Sequence, residues 1–342
     1  MFGIQTTAFD QQVYEEQLAE FLPDKMIDAH VHLWKKSMSR IRPEERKGCD
    51  SWSIRVAADC PMEDLLLSYE QMFPGKRVKP VLMTTPSADL TAGNAYALAC
   101  AREHGLPVLY CTKHDTPVEE IRRAMTVDGF CGIKPFQNHA PAYIPGNEIR
   151  IYDFLPPQHL ELMNDLGGIV MLHIPRPGRL RDQVNLAQMM EIDERYPRAK
   201  VIIAHIGRAY TPEDIGNAFE VLKNSRHLLF DFTANTLDTA MAACIQAVGT
   251  GRLLFGSDMP ITKMRMRRIT ENGIYINVIP RGLYGDVSGD IHMRESDDPH
   301  ITTFMYEELL AFKRCAEMLS LSRKQVEDIL CRNASALFCM SV

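Results

Sequence analysis

Two histidines one residue apart, His30 and His32, are the first residues in the chain whose types and spacing suggest chemistry. They close the apolar run MIDAHVHL (26–33). Side chains alternate between the two faces of a strand, so both imidazoles point the same way, about 6–7 Å apart along it. Imidazoles aimed at one point can share a transition-metal ion. Taken alone, the pair fits equally well two hydrogen-bonded polar residues beside a core. Three further residues change that balance. His173 lies near the end of GIVMLHIP (168–175), His205 near the end of KVIIAHIG (200–207), and Asp258 near the end of RLLFGSDMP (252–260). Independent core residues would not repeatedly place ligand types where apolar runs stop, so a shared site is the better reading.

Elements of a particular kind are needed to bring such residues together. Eight short β-rich runs recur along the chain, at 26–33, 78–86, 106–113, 129–137, 168–175, 200–207, 227–234 and 252–260. Near-continuous apolar runs are what strands buried on both faces look like. Amphipathic stretches separate them, among them 88–104, 155–166, 182–195, 211–224 and 236–249. This alternation predicts parallel βαβ units. Eight of them predict an α/β fold of the closed (β/α)8 barrel type, whose strand ends converge on one mouth. The alternative is an open doubly wound sheet. Two long loops are expected on the mouth side, 34–60 after the first strand and roughly 261–300 after the eighth. Helices are expected over 301–342, with Ser320 or Ser322 as an N-cap, and a helical extension over 1–25. The reading is of one domain, 1–342.

Composition excludes several function classes. The 342 residues are 46% hydrophobic and 24% charged, with a net charge of −6, which is ordinary for a globular chain without nucleic-acid partners. No apolar run reaches membrane-spanning length, and the N-terminus lacks the features of a signal peptide. The nine cysteines have no regular spacing, and several stand in apolar runs. This predicts reduced, buried thiols and a cytoplasmic location. The chain contains no GxxxxGK[ST] loop, HExxH helix or GxSxG elbow. Gly249-Thr250-Gly251 precedes a strand instead of following one, so it is a poor dinucleotide site.

The HxH pair, the two later histidines and the aspartate together resemble the amidohydrolase superfamily. The texts MIDAHVHLW, VMLHIP, VIIAHIGR and LLFGSDMP are similar to its amidohydrolase-2 branch, from about residue 26 to the C-terminal NASALF. That branch includes lactonases, decarboxylases and hydratases of small acids. The resemblance implies that His30, His32 and His173 ligate a metal. It implies that Asp258 touches the metal and takes a proton from bound water. His205 would bind a second metal or orient and polarise the substrate. One divalent ion is expected, zinc first, with manganese, iron or cobalt able to occupy the same donors.

Lys134, in GIKPF, has two readings. Some relatives carboxylate a strand-4 lysine to bridge two metals; the simpler role is to pair with an anionic substrate or a nearby acid, and it is preferred here. Arg176, Arg179 and Arg208 follow the fifth and sixth runs, and Arg265, Arg267 and Arg268 follow the eighth. Guanidinium forks suit carboxylates, so the expected partner is a small anionic substrate, with Arg176 and Arg208 the first candidates to bind it. The competing reading pairs them with local acids such as Asp182. Trp34 could wall the pocket. His114, His139, His292 and His300 read as surface residues, and Asp231 as an inward polar residue with no assigned role. The leading function is a metal-dependent hydrolase of an ester, lactone or amide. A decarboxylase or other lyase on the same residues is the alternative, and a non-catalytic binding protein the third. Exposed barrel helices leave a homo-oligomer open.

Overall fold

The computed structural model describes residues 5–39 and 52–341; residues 40–51 of the first long loop lie outside that range. Strands β1 (Lys25–His32), β2 (Arg77–Met83), β3 (Leu109–Thr112) and β4 (Gly132–Pro135) are followed by β5 (Ile169–Leu172), β6 (Lys200–Ile203), β7 (Leu229–Asp231) and β8 (Leu253–Leu254). Each matches one of the eight apolar runs, β1 and β2 starting one residue before theirs. β3 to β8 form one parallel six-stranded sheet in sequence order, and β1 pairs β2 in a second parallel ladder. Isolated bridges link the two ladders, Leu82 to Val108 and Val31 to Met259. The expected single closed eight-stranded ring is therefore met only in part. This is a parallel α/β fold, but its regular hydrogen bonding is divided between two sheets. One cause lies in β8, which is two residues long. Beyond it the chain leaves strand geometry, with Asp258 at φ 58°.

Helices between the strands begin and end for local reasons. Asp89 caps Leu90–His104, which stops at Gly105, φ 63°. Asp182 caps Gln183–Arg195, accepting from the Val184 and Asn185 amides. Side-chain oxygens satisfy the free amides of a first turn, and glycine tolerates the left-handed C-terminal residue. The expected helix over 211–224 is instead two short pieces, Pro212–Ile215 and Ala218–Leu222, broken at Gly216 (φ 50°, ψ −130°). Of the two expected N-caps near the C-terminus, Ser322 caps Arg323–Glu327, in a capping box with Gln325.

The strands bury two faces. Ile27, Ala29, Val81, Met83, Ile169, Met171, Ile202 and Leu254 pack together as one cluster. Met26, Val31, Leu82, Val170, Leu172, Ile203 and Phe255 belong to another, with the helices. Along β1 the inward residues are odd-numbered up to Ala29, so unbroken alternation would turn His30 and His32 away from Ile27 and Ala29. The pairing register with β2 shifts between Asp28 and Val31. An extra residue on one strand reverses which parity faces inward. That shift carries both histidines to the inward side.

The stretch after β8, expected as a long loop, holds a small sheet. β9 (Arg267–Glu271) and β10 (Ile274–Pro280) form an antiparallel hairpin, and β11 (Met293–Ser296) adds to β10 in parallel. The hairpin turns at Asn272-Gly273, both at positive φ, the favoured chemistry of a two-residue turn. Arg265 anchors this insertion to the N-terminal helix (Ala8–Val13) through buried Asp10. The eight described cysteines are free, seven of them buried or partly buried. Among the described residues no helix is long and apolar enough to cross a membrane.

Gly256 packs against the site. A Cβ there would collide with Thr233 Oγ1 and lie 2.8 Å from His30 Cβ. Gly256→Ala should therefore destabilise the fold by about 1–3 kcal/mol, the usual range for overpacking, read as a lower urea midpoint at an unchanged slope.

Candidate metal centre

Residues from five strand ends line one cavity of about 360 Å³. His30 and His32 come from β1, Lys134 from β4, His173 and His205 from just past β5 and β6, and Asp258 from beyond β8. Trp34, Phe136, Asn138 and Trp52 contribute to its wall. The structure thus brings every expected metal-site residue to one mouth, with Lys134 and Trp34. The tightest donor group is smaller: ligand atoms of His30, His32 and Asp258 lie within 4.8 Å of one another. His173 stands outside that group, its ring centroid 5.2 Å from that of His205.

Two placements rest on uncommon backbone. His205 has φ 59° and Asp258 φ 58°. A left-handed conformation costs a non-glycine residue about 1–2 kcal/mol. Specific bonds hold both. The His205 amide donates to Asp231 Oδ1 at 2.7 Å, and the Asp258 amide to the His30 carbonyl at 2.8 Å.

Three of the four imidazoles, His30, His32 and His205, are fixed from behind. His30 Nδ1 faces Asp231 Oδ2 at 3.0 Å, His32 Nδ1 the Thr84 carbonyl at 2.8 Å, and His205 Nδ1 the Thr233 carbonyl at 2.8 Å. In a neutral ring the proton then sits on Nδ1, and Nε2 turns a lone pair toward the cavity. Burial pulls the His30 pKa to about 3, with the Lys134 charge adding to the effect, so this ring stays neutral near pH 7. Asp231 behaves oppositely: burial would raise it, but His30 and its hydrogen bond outweigh that and hold it down to about 2.

The lone pairs meet further acceptors. His32 Nε2 is 3.1 Å from Asp258 Oδ1, and His30 Nε2 is 3.8 Å from the same oxygen. Burial alone would raise Asp258; the His32 bond and the His205 and His30 imidazoles hold its carboxyl well below the usual range. Acceptors this close need positive charge between them. A proton on His32 Nε2 serves one pair, whereas a metal ion serves all three donors. The Lys134 ammonium occupies part of that role, 3.1 Å from His30 Nε2 and only 2% exposed. Burial lowers its pKa, while Asp258 and Asp231 oppose the shift. The donor set therefore fits a divalent ion.

Asp231 is the residue whose role the sequence left open. It ties His30 and the His205 backbone to one carboxylate. Its inward place in FDFT was the available signal. The arginine expectations need correction. Arg176 pairs with Asp182 at 3.1 Å and is absent from the cavity wall. Arg208 is absent as well: its Nη1 donates to the Ile174 and Pro175 carbonyls at 3.5 and 3.3 Å, closing the turn after β5. Arg176 is drawn to an acid of its own loop, and Arg208 to carbonyls of the loop after β5. His292 lines an adjoining cavity instead of open surface.

The family model described as Amidohydrolase matches residues 27–271. The chain belongs to the amidohydrolase family. Solved structures agree on the fold of this amidohydrolase. An amidohydrolase from Burkholderia multivorans with bound zinc is 15% identical, covering 92% of this chain and 99% of its own, at a TM-score of 0.60. A probable 2-pyrone-4,6-dicarboxylic acid hydrolase from Acinetobacter baumannii with citric acid bound is 16% identical over 92% and 99%, TM-score 0.56. A dihydroxybenzoic acid decarboxylase from Polaromonas sp. JS666 with bound manganese and 2-nitroresorcinol is 14% identical over 93% and 97%, TM-score 0.54. Among curated proteins, none matches the chain.

Residues that orient metal-binding histidines usually contribute about 10–100-fold to affinity. Asp231→Asn should weaken zinc binding by about that factor in a chelator competition, while the far-ultraviolet spectrum stays unchanged. Equal affinity in both proteins would remove Asp231 from the site.

Proposed function

We propose that this amidohydrolase is a metal-dependent hydrolase of an ester, lactone or amide in a small anionic substrate, working at the mouth of a (β/α)8 barrel. The observation that carries the reading is the convergence of His30 Nε2, His32 Nε2 and Asp258 Oδ1 on one point. His30, His32 and Asp258 would hold a single divalent ion, with His173 able to join them. Zinc suits this set, and manganese, iron or cobalt are alternatives. Such an ion supplies a hydroxide nucleophile at neutral pH by lowering the pKa of water to about 7.

The chain's own residues do the rest. Asp258 is ionised and accepts the proton of the attacking water, then returns it to the leaving oxygen or nitrogen. His205, fixed through Nδ1, presents Nε2 to the substrate and polarises the carbonyl once protonated. Lys134 stabilises the oxygen on which negative charge develops, and its 5.7 Å approach to the Phe136 ring keeps it beside an apolar wall. Trp34 and Phe136 exclude bulk water from one side.

A decarboxylase is the second reading. Two potential proton donors, Lys134 and His205, line the same cavity, as delivery of a proton to carbon would require. Turnover in 18O-labelled water separates the two: label in the product acid marks hydrolysis, whereas unlabelled product with released carbon dioxide marks the lyase. In either case Asp258→Asn keeps a ligating oxygen and removes the base. The expected result is a fall in kcat of about 10²-fold or more with zinc content retained; full activity would reject this mechanism.

A further inference from the structure

A cavity of about 450 Å³ lies at the other end of the fold, where β1 and β2 begin. The length of β1 puts it roughly 20 Å from His32. Four cationic side chains line it, Lys25, Arg77, Arg323 and Arg332, against two acids, Asp24 and Glu327. Lys25 and Arg77 are direct partners in the β1–β2 ladder. They extend the inward rows that run through Ile27 and Ala29 on β1 and through Val81 and Met83 on β2. Cys331, which packs with those apolar residues, also lines the cavity.

Both acids are already committed. Glu327 accepts from Arg323 Nε at 3.2 Å and from Arg332 Nη2 at 2.6 Å. Asp24 faces Lys76 Nζ at 3.3 Å. Arg323 is fixed further by the Phe21 and Leu22 carbonyls, at 2.6 and 3.3 Å. Among the described residues neither Lys25 nor Arg77 has a carboxylate within ion-pair distance. Like charges directly opposite on neighbouring strands destabilise a ladder. Burial raises the pKa of the Cys331 thiol, and the Arg332 and Lys25 charges oppose that shift, as cations facing the same space would. Two adjacent, uncompensated cations beside anchored arginines lack only an anion. The cavity's excess of two positive charges matches a phosphate group, which brings three acceptor oxygens and a charge of about −1.5 to −2. A single carboxylate would leave one cation uncompensated.

We propose that Lys25 and Arg77, with Arg332, form a phosphate-binding site at the strand-start end of the fold, for free phosphate or a small phosphomonoester. Guanidinium forks suit phosphate oxygens, and the lysine adds a point charge. The site is independent of the metal centre and of the reaction proposed there.

Calorimetric titration of the full chain with inorganic phosphate, glycerol 3-phosphate and citrate, near pH 7.5 and at constant ionic strength, tests it. One phosphate or one glycerol 3-phosphate should bind per chain. Tighter binding of the ester assigns the site to a phosphomonoester, and tighter binding of inorganic phosphate assigns it to the free ion. Arg77→Gln and Lys25→Gln should each weaken binding by about tenfold, the loss of one charge-assisted bond. Neither should lower the melting temperature of the unliganded protein, because each removes a repulsion. Phosphate should raise that temperature in the wild-type protein and not in the double variant. Three results overturn the site: no saturable binding of either phosphate, undiminished binding in the double variant, or citrate bound as tightly as both phosphates. If one single variant fails to fold, unchanged affinity in the other overturns it.

Discussion

The direction in which three of the four imidazoles at the mouth turn their lone pairs depends on what binds their other nitrogen. Asp231 stands behind His30, the Thr84 carbonyl behind His32 and the Thr233 carbonyl behind His205. A ring held this way cannot rotate to satisfy its inner nitrogen elsewhere. Burial keeps His30 neutral, so the lone pair is retained at ordinary pH. The candidate centre is thus built from acceptors facing acceptors, an arrangement that is stable only with a cation among them. Lys134 answers part of that need, and a metal ion answers all of it.

Backbone geometry supplies the positions that side-chain alternation cannot. The register shift in β1 turns His30 and His32 inward, and left-handed residues turn His205 and Asp258 out of their strand directions. Each departure carries a local cost, and each is stabilised by a bond into the same network. Asp231 serves His30 with one oxygen and the His205 amide with the other, while the His30 carbonyl holds the Asp258 amide. The fold, at TM-scores of 0.54–0.60 to relatives that are 14–16% identical, is therefore shared more widely than the residues filling it. A common scaffold does not choose between hydrolysis and decarboxylation. That choice lies in which groups carry protons beside the substrate.

Charge around the mouth follows a similar division. Most arginines near the site are neutralised by nearby acids, Arg176 by Asp182 of its own loop and Arg179 by Asp214 of the next. Pairing keeps those segments in shape and takes the cations out of consideration for a ligand. Arg268 is held by π faces and neutral acceptors instead. The insertion after β8 brings an aromatic and cationic wall to a cavity that shares Asp258 with the metal centre.

Much of this was legible in the sequence, because two signals in it are local. Apolar runs of strand length, alternating with amphipathic segments, prescribe parallel βαβ units whatever lies elsewhere in the chain. Ligand types where those runs end, from His30 to Asp258, announced a shared site. Sequence could not say which arginine stays unpaired. Arg176 ranked ahead of Arg268 as a ligand-binding candidate, and the fold reversed that order by setting Arg176 on Asp182 and giving Arg268 only rings and neutral acceptors. Nor could it show that Asp231 would stand behind His30, 201 positions away. The HxH spacing promised two histidines on one face but not which face. A one-residue shift in pairing with β2 made that choice, and pairing register is a relation between strands that neither strand contains alone.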